Sequence, residues 1–310
     1  MGSIDVEGLR PPRAIRFAIT DGALDLGGLD GAPEPSSDAP SEVAISGHVH
    51  LDSVRARGVT LRPIDAELGF SRGRLAVTAL HVGAFGGTVD VEKSSLDLAG
   101  APEIDLHARF DGLDLSKIGA NPADELRGRA SGKIDLHGSG EGREELTRSL
   151  RGAVRVALTD VHGRHAFKRK VTVKNPLLGE MFARAAKKSS GEARVVDLRS
   201  ASALFEVGSG HLTTTEPVSL RSDDLKASLR GTIGFDQALA LDGQIEIAPQ
   251  AIAAATDGAL VPLRPIPLQL RIVGNPVELQ IEVLEIAESV RALLGSVRNG
   301  LTGGVAAPLP

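Results

Sequence analysis

Apolar and polar residues alternate along most of the chain, and this alternation predicts strands. From Ile104 to Asp111 every second residue is apolar, so aliphatic and aromatic side chains point to one face and charged ones to the other. The same period of two recurs in several later and earlier runs. These runs lie at residues 43–52, 133–137, 154–158, 225–235, 239–247, 268–272 and 277–283.

Glycine-rich turns separate the runs, so that a new strand arrives about every ten residues. Asp21-Gly22 predicts a tight hairpin between Ile15–Thr20 and Ala23–Leu26. Short turns between successive strands are typical of an antiparallel meander. We therefore expect a mainly β fold: a long, curved antiparallel sheet, forming an open groove or trough, with a few short amphipathic helices.

Three kinds of segment break the alternation. Gly27 to Glu42 is rich in Gly, Pro, Ser and Asp and predicts a mobile loop. Apolar residues at helical spacing predict helices at Pro176–Lys188 and Leu284–Leu301, and a shorter one at Glu141–Ser149. The predicted organisation is a hairpin and loop (1–42), a β-groove (43–283) with a helical insertion near 164–190, and a helix with a tail (284–310).

The apolar sheet face poses a physical problem, because its burial represents on the order of 100 kcal/mol and it has to be covered. The predicted helices are too few to cover it. The sheet either closes as a sandwich or barrel, or curls into a trough filled by a ligand. The candidate lining of the trough is Ile104, Leu106, Phe110, Ile134, Leu136, Val154, Val156, Leu158, Leu229, Ile233, Phe235, Leu241, Ile245, Ile247, Leu268, Leu270 and Ile272.

Composition narrows the possible partners. The chain has no Trp or Tyr and only 8 Phe, which favours a trough over an aromatic-filled core and argues against base stacking. Its net charge of -5 argues against general nucleic-acid binding. With no Cys, thiol catalysis and disulfides are excluded. The N-terminus has no signal-peptide pattern, and we expect any membrane anchor to lie upstream of this sequence.

Candidate chemistry is sparse. His48, His50 and Asp52 share a strand face in a geometry that could hold a metal, but a solvated sheet face is the favoured explanation. The glycines from Gly138 to Gly142 imitate a phosphate loop but lack the G-x-G-x-x-G spacing. No G-x-S-x-G elbow is present, which argues against an α/β-hydrolase nucleophile, and the carboxylates are spread along outer strand faces. We expect no catalytic site, and also no metal and no cofactor.

One basic concentration stands out between Arg164 and Lys188. It either contacts anionic lipid head groups beside the predicted helix or forms a charged helix surface. The candidate head-group contacts are Lys168, Arg169, Lys170, Lys187 and Lys188.

Four short motifs carry a resemblance that covers roughly residues 43–300. They are Phe85-Gly86-Gly87-Thr88, Ser149-Leu150-Arg151-Gly152, the Gly-Ser-Gly hairpin within Phe205–Leu212, and Ile266-Pro267 followed by Val273-Gly274-Asn275-Pro276. In these the chain resembles the C-terminal region of AsmA-like proteins, relatives of TamB and of bridge-like lipid carriers in Gram-negative envelopes.

The resemblance implies a periplasmic β-groove, anchored to the inner membrane in a full-length form. It also implies a role in outer-membrane lipid homeostasis or assembly. We therefore expect a non-catalytic module that binds or transfers phospholipid or another acyl lipid and works at a membrane surface. The alternative is a scaffold for envelope assembly or secretion, which would act through protein partners at an exposed sheet edge.

Overall fold

A computed structural model describes residues 2–7, 14–20, 22–25, 44–56, 59–118, 125–164, 195–255, 258, 262–275 and 279–286. Within them the chain is mainly β. The strands are β1 (Gly2–Glu7), β2 (Ala14–Ile19), β3 (Ala23–Asp25), β4 (Ala44–Leu51), β5 (Ser53–Ala56), β6 (Val59–Leu61), β7 (Ile64–Ser71), β8 (Arg74–Ala84), β9 (Gly87–Asp97), β10 (Glu103–Asp114), β11 (Glu125–Ser139), β12 (Arg151–Arg164), β13 (Val195–Gly208), β14 (His211–Arg221), β15 (Leu225–Gly234), β16 (Leu239–Ile247), β17 (Ile266–Gly274) and β18 (Leu279–Ile286). The helices are α1 (Leu115–Ile118), α2 (Arg143–Ser149) and α3 (Pro249–Ala255).

The long sheet predicted from the alternation is confirmed. Its strand order is β1-β2-β4-β7-β8-β9-β10-β11-β12-β13-β14-β15-β16-β17-β18, and it is not closed. Neighbours are antiparallel in the pairings from β4 to β11 and from β15 to β18, whereas β2 and β4 are parallel, which makes the sheet mixed. A small second sheet has the order β3-β5-β6.

The predicted hairpin at Asp21-Gly22 is wrong. Strand β2 pairs with β1 and β4, while β3 pairs with β5 in the small sheet. The backbone of the predicted turn is engaged elsewhere: the Asp52 amide donates a hydrogen bond of 3.0 Å to the Gly22 carbonyl, beside the end of β4. A local turn signal was overridden here by pairing with a distant segment.

The predicted helices have three outcomes. The short helix at Glu141–Ser149 is confirmed as α2. The predicted C-terminal helix does not begin at Leu284, because β18 continues to Ile286 through a bulge in its pairing with β17. The rest of that helix, the helix at Pro176–Lys188 and the loop at Gly27–Glu42 lie outside the described residues.

The chain divides into two compact units. Unit 1 comprises Met1–Pro122, Leu126–Leu158 and Leu204–Leu212, and unit 2 comprises the remainder. In unit 1 the strand register stacks apolar side chains into rows that cross β4, β7, β8, β9 and β10. One row is Leu51, Ile64, Val82, Val89 and Phe110; another is Val49, Ala66, Leu80, Val91, Ala108 and, on β11, Ile134; a third is Ile45, Phe70, Leu75, Leu96 and Ile104.

Unit 2 has the same two-faced construction in β15 to β18. The apolar rows are Leu225, Ile247 and Ile266; Ala227, Ile245 and Leu268; Leu229, Gly243, Leu270 and Val283; and Gly231, Leu241, Ile272 and Ile281. The opposite face is polar, and there Arg271 Nε donates to Asp242 Oδ1 at 2.7 Å. Ala227, Leu229, Leu241 and Leu270 are the buried centre of the hydrophobic cluster of this unit.

Gly132 illustrates how closely the strands of unit 1 approach each other. A Cβ at this position would lie 2.2 Å from the Arg155 carbonyl oxygen and 2.5 Å from the Phe110 ring. Phe110 is paired with Gly132 across β10 and β11, so the aromatic ring lies over the glycine and fills the space that a side chain would take. This pairing fixes the place of Phe110, one of the two phenylalanines in the predicted lining.

Candidate functional site

The apolar face of unit 1 is the first candidate site. The strand register places Ile104, Leu106 and Phe110 of β10 on the same face as Ile134 and Leu136 of β11, as the alternation predicts. All five are half-buried, and so are the predicted lining residues of β12, which are Val154, Val156 and Leu158. These side chains are flanked by their neighbours in the sheet without being sealed from solvent.

The described helices of unit 1 do not seal this face. Neither α1 nor α2 contains a buried residue, so neither is packed into a closed hydrophobic layer. Phe70, which lies in the row of Ile45 and Ile104, keeps 37% of its surface exposed. Half-buried aliphatic rows with an exposed aromatic beside them form an apolar surface that another apolar molecule could cover.

The predicted lining residues of unit 2 differ in their solvent exposure. Leu229, Leu241, Leu268 and Leu270 are only 3 to 7% exposed and form a hydrophobic core. The remaining strand residues of the predicted lining in this unit are half-buried. They are Ile233, Ile245, Ile247 and Ile272. Phe235 lies beyond the end of β15, in a turn, and is 38% exposed. The alternation thus predicts the face of these strand residues correctly but does not distinguish core from open surface.

Among the described residues of unit 1, the buried polar residue on the apolar face is Ser94, and the backbone satisfies its hydroxyl. Ser94 of β9 accepts a hydrogen bond of 2.8 Å from the His107 amide, at the bulge between β9 and β10. It lies opposite Val77 in the sheet. Because the hydroxyl is engaged within the sheet, it does not present a free hydrogen-bonding group to a ligand on this face.

The polar face of unit 1 carries a row of charged and titratable side chains that sequence reasoning missed. Adjacent strands bring His50, Asp65, His81, Asp90, Arg109 and Lys133 into one cross-strand row. His50 Nδ1 donates to Asp65, and His81 Nδ1 donates to Asp90 at 2.6 Å. Each residue was visible as a polar position in its own strand, but the pairs follow from a register that the sequence does not give.

A third pair lies further along the same face. His107 contacts Asp135 at 3.0 Å and Asp105 at 3.2 Å, and Lys133 Nζ contacts Asp135 at 2.8 Å. In unit 2, His162 and Asp197 form a similar pair at 3.1 Å. These contacts are partly or largely exposed, so each one adds little to stability by itself. Together they fix opposite charges across neighbouring strands.

Two of these carboxylates have lowered pKa values. The hydrogen bond from His50 holds the pKa of Asp65 below its ordinary value of 3.8. Hydrogen bonds from Lys133 and then His107 do the same for Asp135. In the acid range the folded chain therefore binds fewer protons at these two sites than the unfolded chain does.

A dependence of stability on acid pH follows from these two shifts. The contribution of Asp65 and Asp135 is fully present above the ordinary pKa of about 4 and is lost as pH falls through their lowered values. The unfolding free energy of the wild-type chain should therefore fall more steeply below about pH 4 than that of the variant Asp65→Asn/Asp135→Asn. Urea unfolding at a series of acid pH values measures both slopes.

The reference for that experiment is Asp160→Asn, which removes an exposed carboxylate of β12 that lies outside these pairs. Comparison with it shows how much the slope changes when a strand carboxylate outside the pairs is removed, and twice that change is the reference for the double variant, which loses two. Equal slopes in the wild type and the double variant would show that the His50–Asp65 and Lys133–Asp135 contacts do not hold in solution.

At the metal site suggested by His48, His50 and Asp52, and at the phosphate loop suggested by Gly138–Gly142, the structure shows contacts that the sequence patterns do not predict. His50 pairs with Asp65 of the neighbouring strand, and Asp52 lies beyond the end of β4. Among the described residues, no three His, Asp or Glu side chains are grouped as metal ligands. At the start of α2 the Glu145 carboxylate accepts a hydrogen bond of 3.1 Å from the Glu141 amide, so the chain's own anion occupies that position.

The candidate head-group contacts Lys168, Arg169, Lys170, Lys187 and Lys188 lie outside the described residues and stay predictions. Across the part of the chain that the structure describes, no helix has the length and apolar character required to cross a membrane. Comparisons of the chain with protein-family models, with curated proteins and with solved structures find no match. The resemblance to AsmA-like proteins therefore also stays a prediction.

Proposed function

We propose that the protein is a non-catalytic, periplasmic lipid-binding or lipid-transfer module that supports outer-membrane lipid homeostasis or assembly. The observation that carries the proposal is the apolar face of unit 1, whose aligned aliphatic rows are half-buried apart from the buried Ala66 and Val82 and are not sealed by α1 or α2. The acyl chains of a phospholipid would complete the burial of these rows. Each methylene removed from water contributes about 0.8 kcal/mol, so one acyl chain supplies an adequate driving force.

The chemistry of the face supports an acyl ligand over a polar one. Leu106, Ala108 and Ile134 offer only hydrocarbon, and the hydroxyl of the nearby Ser94 is already bonded to the backbone. Because no polar group holds a ligand at one point, an acyl chain can shift along the rows at little cost. Such a surface suits the passage of lipid, and its described residues provide no positioned acid, base or nucleophile of the kind that catalysis requires.

Transfer of a labelled phospholipid between vesicles tests this proposal. Donor vesicles contain a phospholipid with a self-quenched fluorophore on its acyl chain, and the purified chain, free of detergent, is added with unlabelled acceptor vesicles. We expect faster dequenching with the protein than without it, and we expect the recovered lipid to be chemically intact. No acceleration would contradict a transfer role, and release of fatty acid or lysophospholipid would contradict a non-catalytic one.

One observation favours the scaffold as a second candidate. The sheet is not closed, and in the strand order β18 has β17 as its one neighbour among the described strands. An edge strand offers backbone groups to which a strand of another protein could pair. Under this alternative, a proline in place of Gln280 of β18 would abolish binding of an envelope partner and would leave the lipid content unchanged.

A further inference from the structure

A cavity of about 730 Å³ lies in unit 1 at the turn between β8 and β9. It is bounded on one side by the hairpin of β5 and β6 and on another by α1, and its floor is the segment from Gly83 to Gly87. None of its lining residues belongs to the rows assigned to acyl chains, and its volume is within the size range of small-molecule sites. It includes three residues of the Phe85-Gly86-Gly87-Thr88 motif, for which the proposed function gives no role.

Backbone contacts bring the β5–β6 hairpin to this turn. The Arg62 amide donates to the Gly83 carbonyl at 2.7 Å, and the Gly83 amide donates to the Pro63 carbonyl at 3.0 Å. Only glycine fits here, because a Cβ on Gly83 would lie 1.9 Å from the Arg62 carbonyl oxygen. Arg55 pairs with Thr60 across the hairpin, and Arg62 follows β6. The backbone contacts of this hairpin with Gly83 therefore hold both Arg55 and Arg62 at the cavity.

A separate contact brings α1 to the other side. The Asp114 amide donates to the Phe85 carbonyl at 2.9 Å, and α1 follows directly after Asp114. A Cβ on Gly86 would lie 3.1 Å from Lys117 Nζ, which shows how close the ammonium group is to the turn. Gly86 has a φ of 78°, a conformation that glycine adopts without strain.

The cavity has an unbalanced charge. Arg55, Arg62 and Lys117 line it, and none of the described residues that line it is acidic. The Asp114 carboxylate lies 3.9 Å from Lys117 Nζ and also accepts hydrogen bonds from the Ser116 amide and hydroxyl. Within the described part of the chain, no ion pair joins Arg55 or Arg62 to a carboxylate. Two guanidinium groups therefore line the cavity without a counter-charge from the described residues.

We propose that this cavity binds a phosphate group carried on a small organic molecule or on a lipid head group. Each guanidinium can donate two parallel hydrogen bonds to phosphate oxygens, and Lys117 adds a third positive charge. Val59, Ala84 and Phe85 supply an apolar wall for the carbon atoms next to the phosphate. The site does not depend on the acyl-chain function, because it uses a different part of unit 1 and different residues.

Binding of glycerophosphoglycerol and inorganic phosphate, measured by isothermal titration calorimetry at constant ionic strength, tests the site in the absence of any membrane. The variant Arg55→Gln/Arg62→Gln removes both guanidinium groups that line the cavity. We expect its Kd for the phosphodiester to rise by about tenfold or more, since each charge-assisted hydrogen bond is strong. Lys117→Gln, a single exposed substitution with little risk to folding, should weaken binding to a smaller extent.

Arg72→Gln/Arg155→Gln is the matched control, because both arginines are exposed residues of unit 1 that do not line the cavity. Its Kd should stay within about twofold of the wild type. Cosedimentation with vesicles of equal parts phosphatidylcholine and phosphatidylglycerol forms the lipid arm of the experiment. The basic segment from Lys168 to Lys188 is present in every variant, so differences between variants report on the cavity alone.

The arms separate the possible sources of the phosphate. Loss of soluble phosphodiester or phosphate binding in Arg55→Gln/Arg62→Gln would support a site for free phosphate compounds. Loss of vesicle binding alone would support a site for lipid phosphate. No binding of any probe, or equal weakening in Arg72→Gln/Arg155→Gln, would overturn the proposal and would leave the acyl-chain function unaffected.

Discussion

A cross-strand ion pair placed on the apolar face of unit 1 is expected to remove bound phospholipid without unfolding the protein. Leu106 and Leu136 lie directly opposite each other on β10 and β11, and both are half-buried. In the variant Leu106→Lys/Leu136→Glu the two opposite charges face each other and stay partly hydrated. An acyl chain lying over them would have to strip that water, so lipid retained by the purified protein should fall by at least about tenfold.

The matched control puts the same pair in the core of unit 2, as Leu241→Lys/Ile272→Glu. These residues also face each other across two strands, but Leu241 belongs to the buried cluster. Charges forced into this core cost several kcal/mol, so we expect the control to unfold. Circular dichroism and phosphate analysis of the extracted lipid follow both variants. If Leu106→Lys/Leu136→Glu also unfolds, the face of unit 1 is a sealed core and holds no lipid.

The second large expected effect is a loss of stability when a side chain is removed from the hydrophobic core of unit 2. Leu270 is 4% exposed and packs in the cluster with Leu229 and Leu241. Leu270→Ala removes three buried carbon atoms and leaves a cavity, which should lower the unfolding free energy by about 3 kcal/mol. Equilibrium urea unfolding measures the loss as a lower midpoint at an unchanged m-value.

Leu106→Ala is the comparison for that substitution, because it makes the same chemical change on the half-buried face of unit 1. We expect it to lower the unfolding free energy by about 1 kcal/mol in lipid-free protein, since less apolar surface is returned to water. Equal losses from the two variants would mean that Leu106 is packed as tightly as Leu270. The distinction between an open face and a core would then be wrong.

The fold was predictable from the sequence because strands encode their two faces locally. In β10, Ile104, Leu106 and Phe110 alternate with charged residues, and the structure places the two sets on opposite faces. The exception at Asp21-Gly22 has a physical cause. The parallel pairing of β2 with β4 depends on a distant segment, and a two-residue turn signal carries no information about it.

The site was predictable only in part. Leu106 and Leu270 have the same period-two surroundings, yet one is half-buried and the other buried, because depth depends on what packs above the strand. The pair of His81 with Asp90 requires the register of two strands. The cationic cavity requires the contacts of Arg62 with Gly83 and of Phe85 with Asp114, which join segments far apart in sequence.

The lipid content of the protein itself tests the central claim most directly. The chain is purified without detergent, its lipids are extracted, and mass spectrometry identifies and quantifies them against the protein. The open apolar face of unit 1 predicts intact phospholipid in stoichiometric amount. A monodisperse protein that carries no lipid would contradict the assignment and would favour a β scaffold that acts through its edge strands.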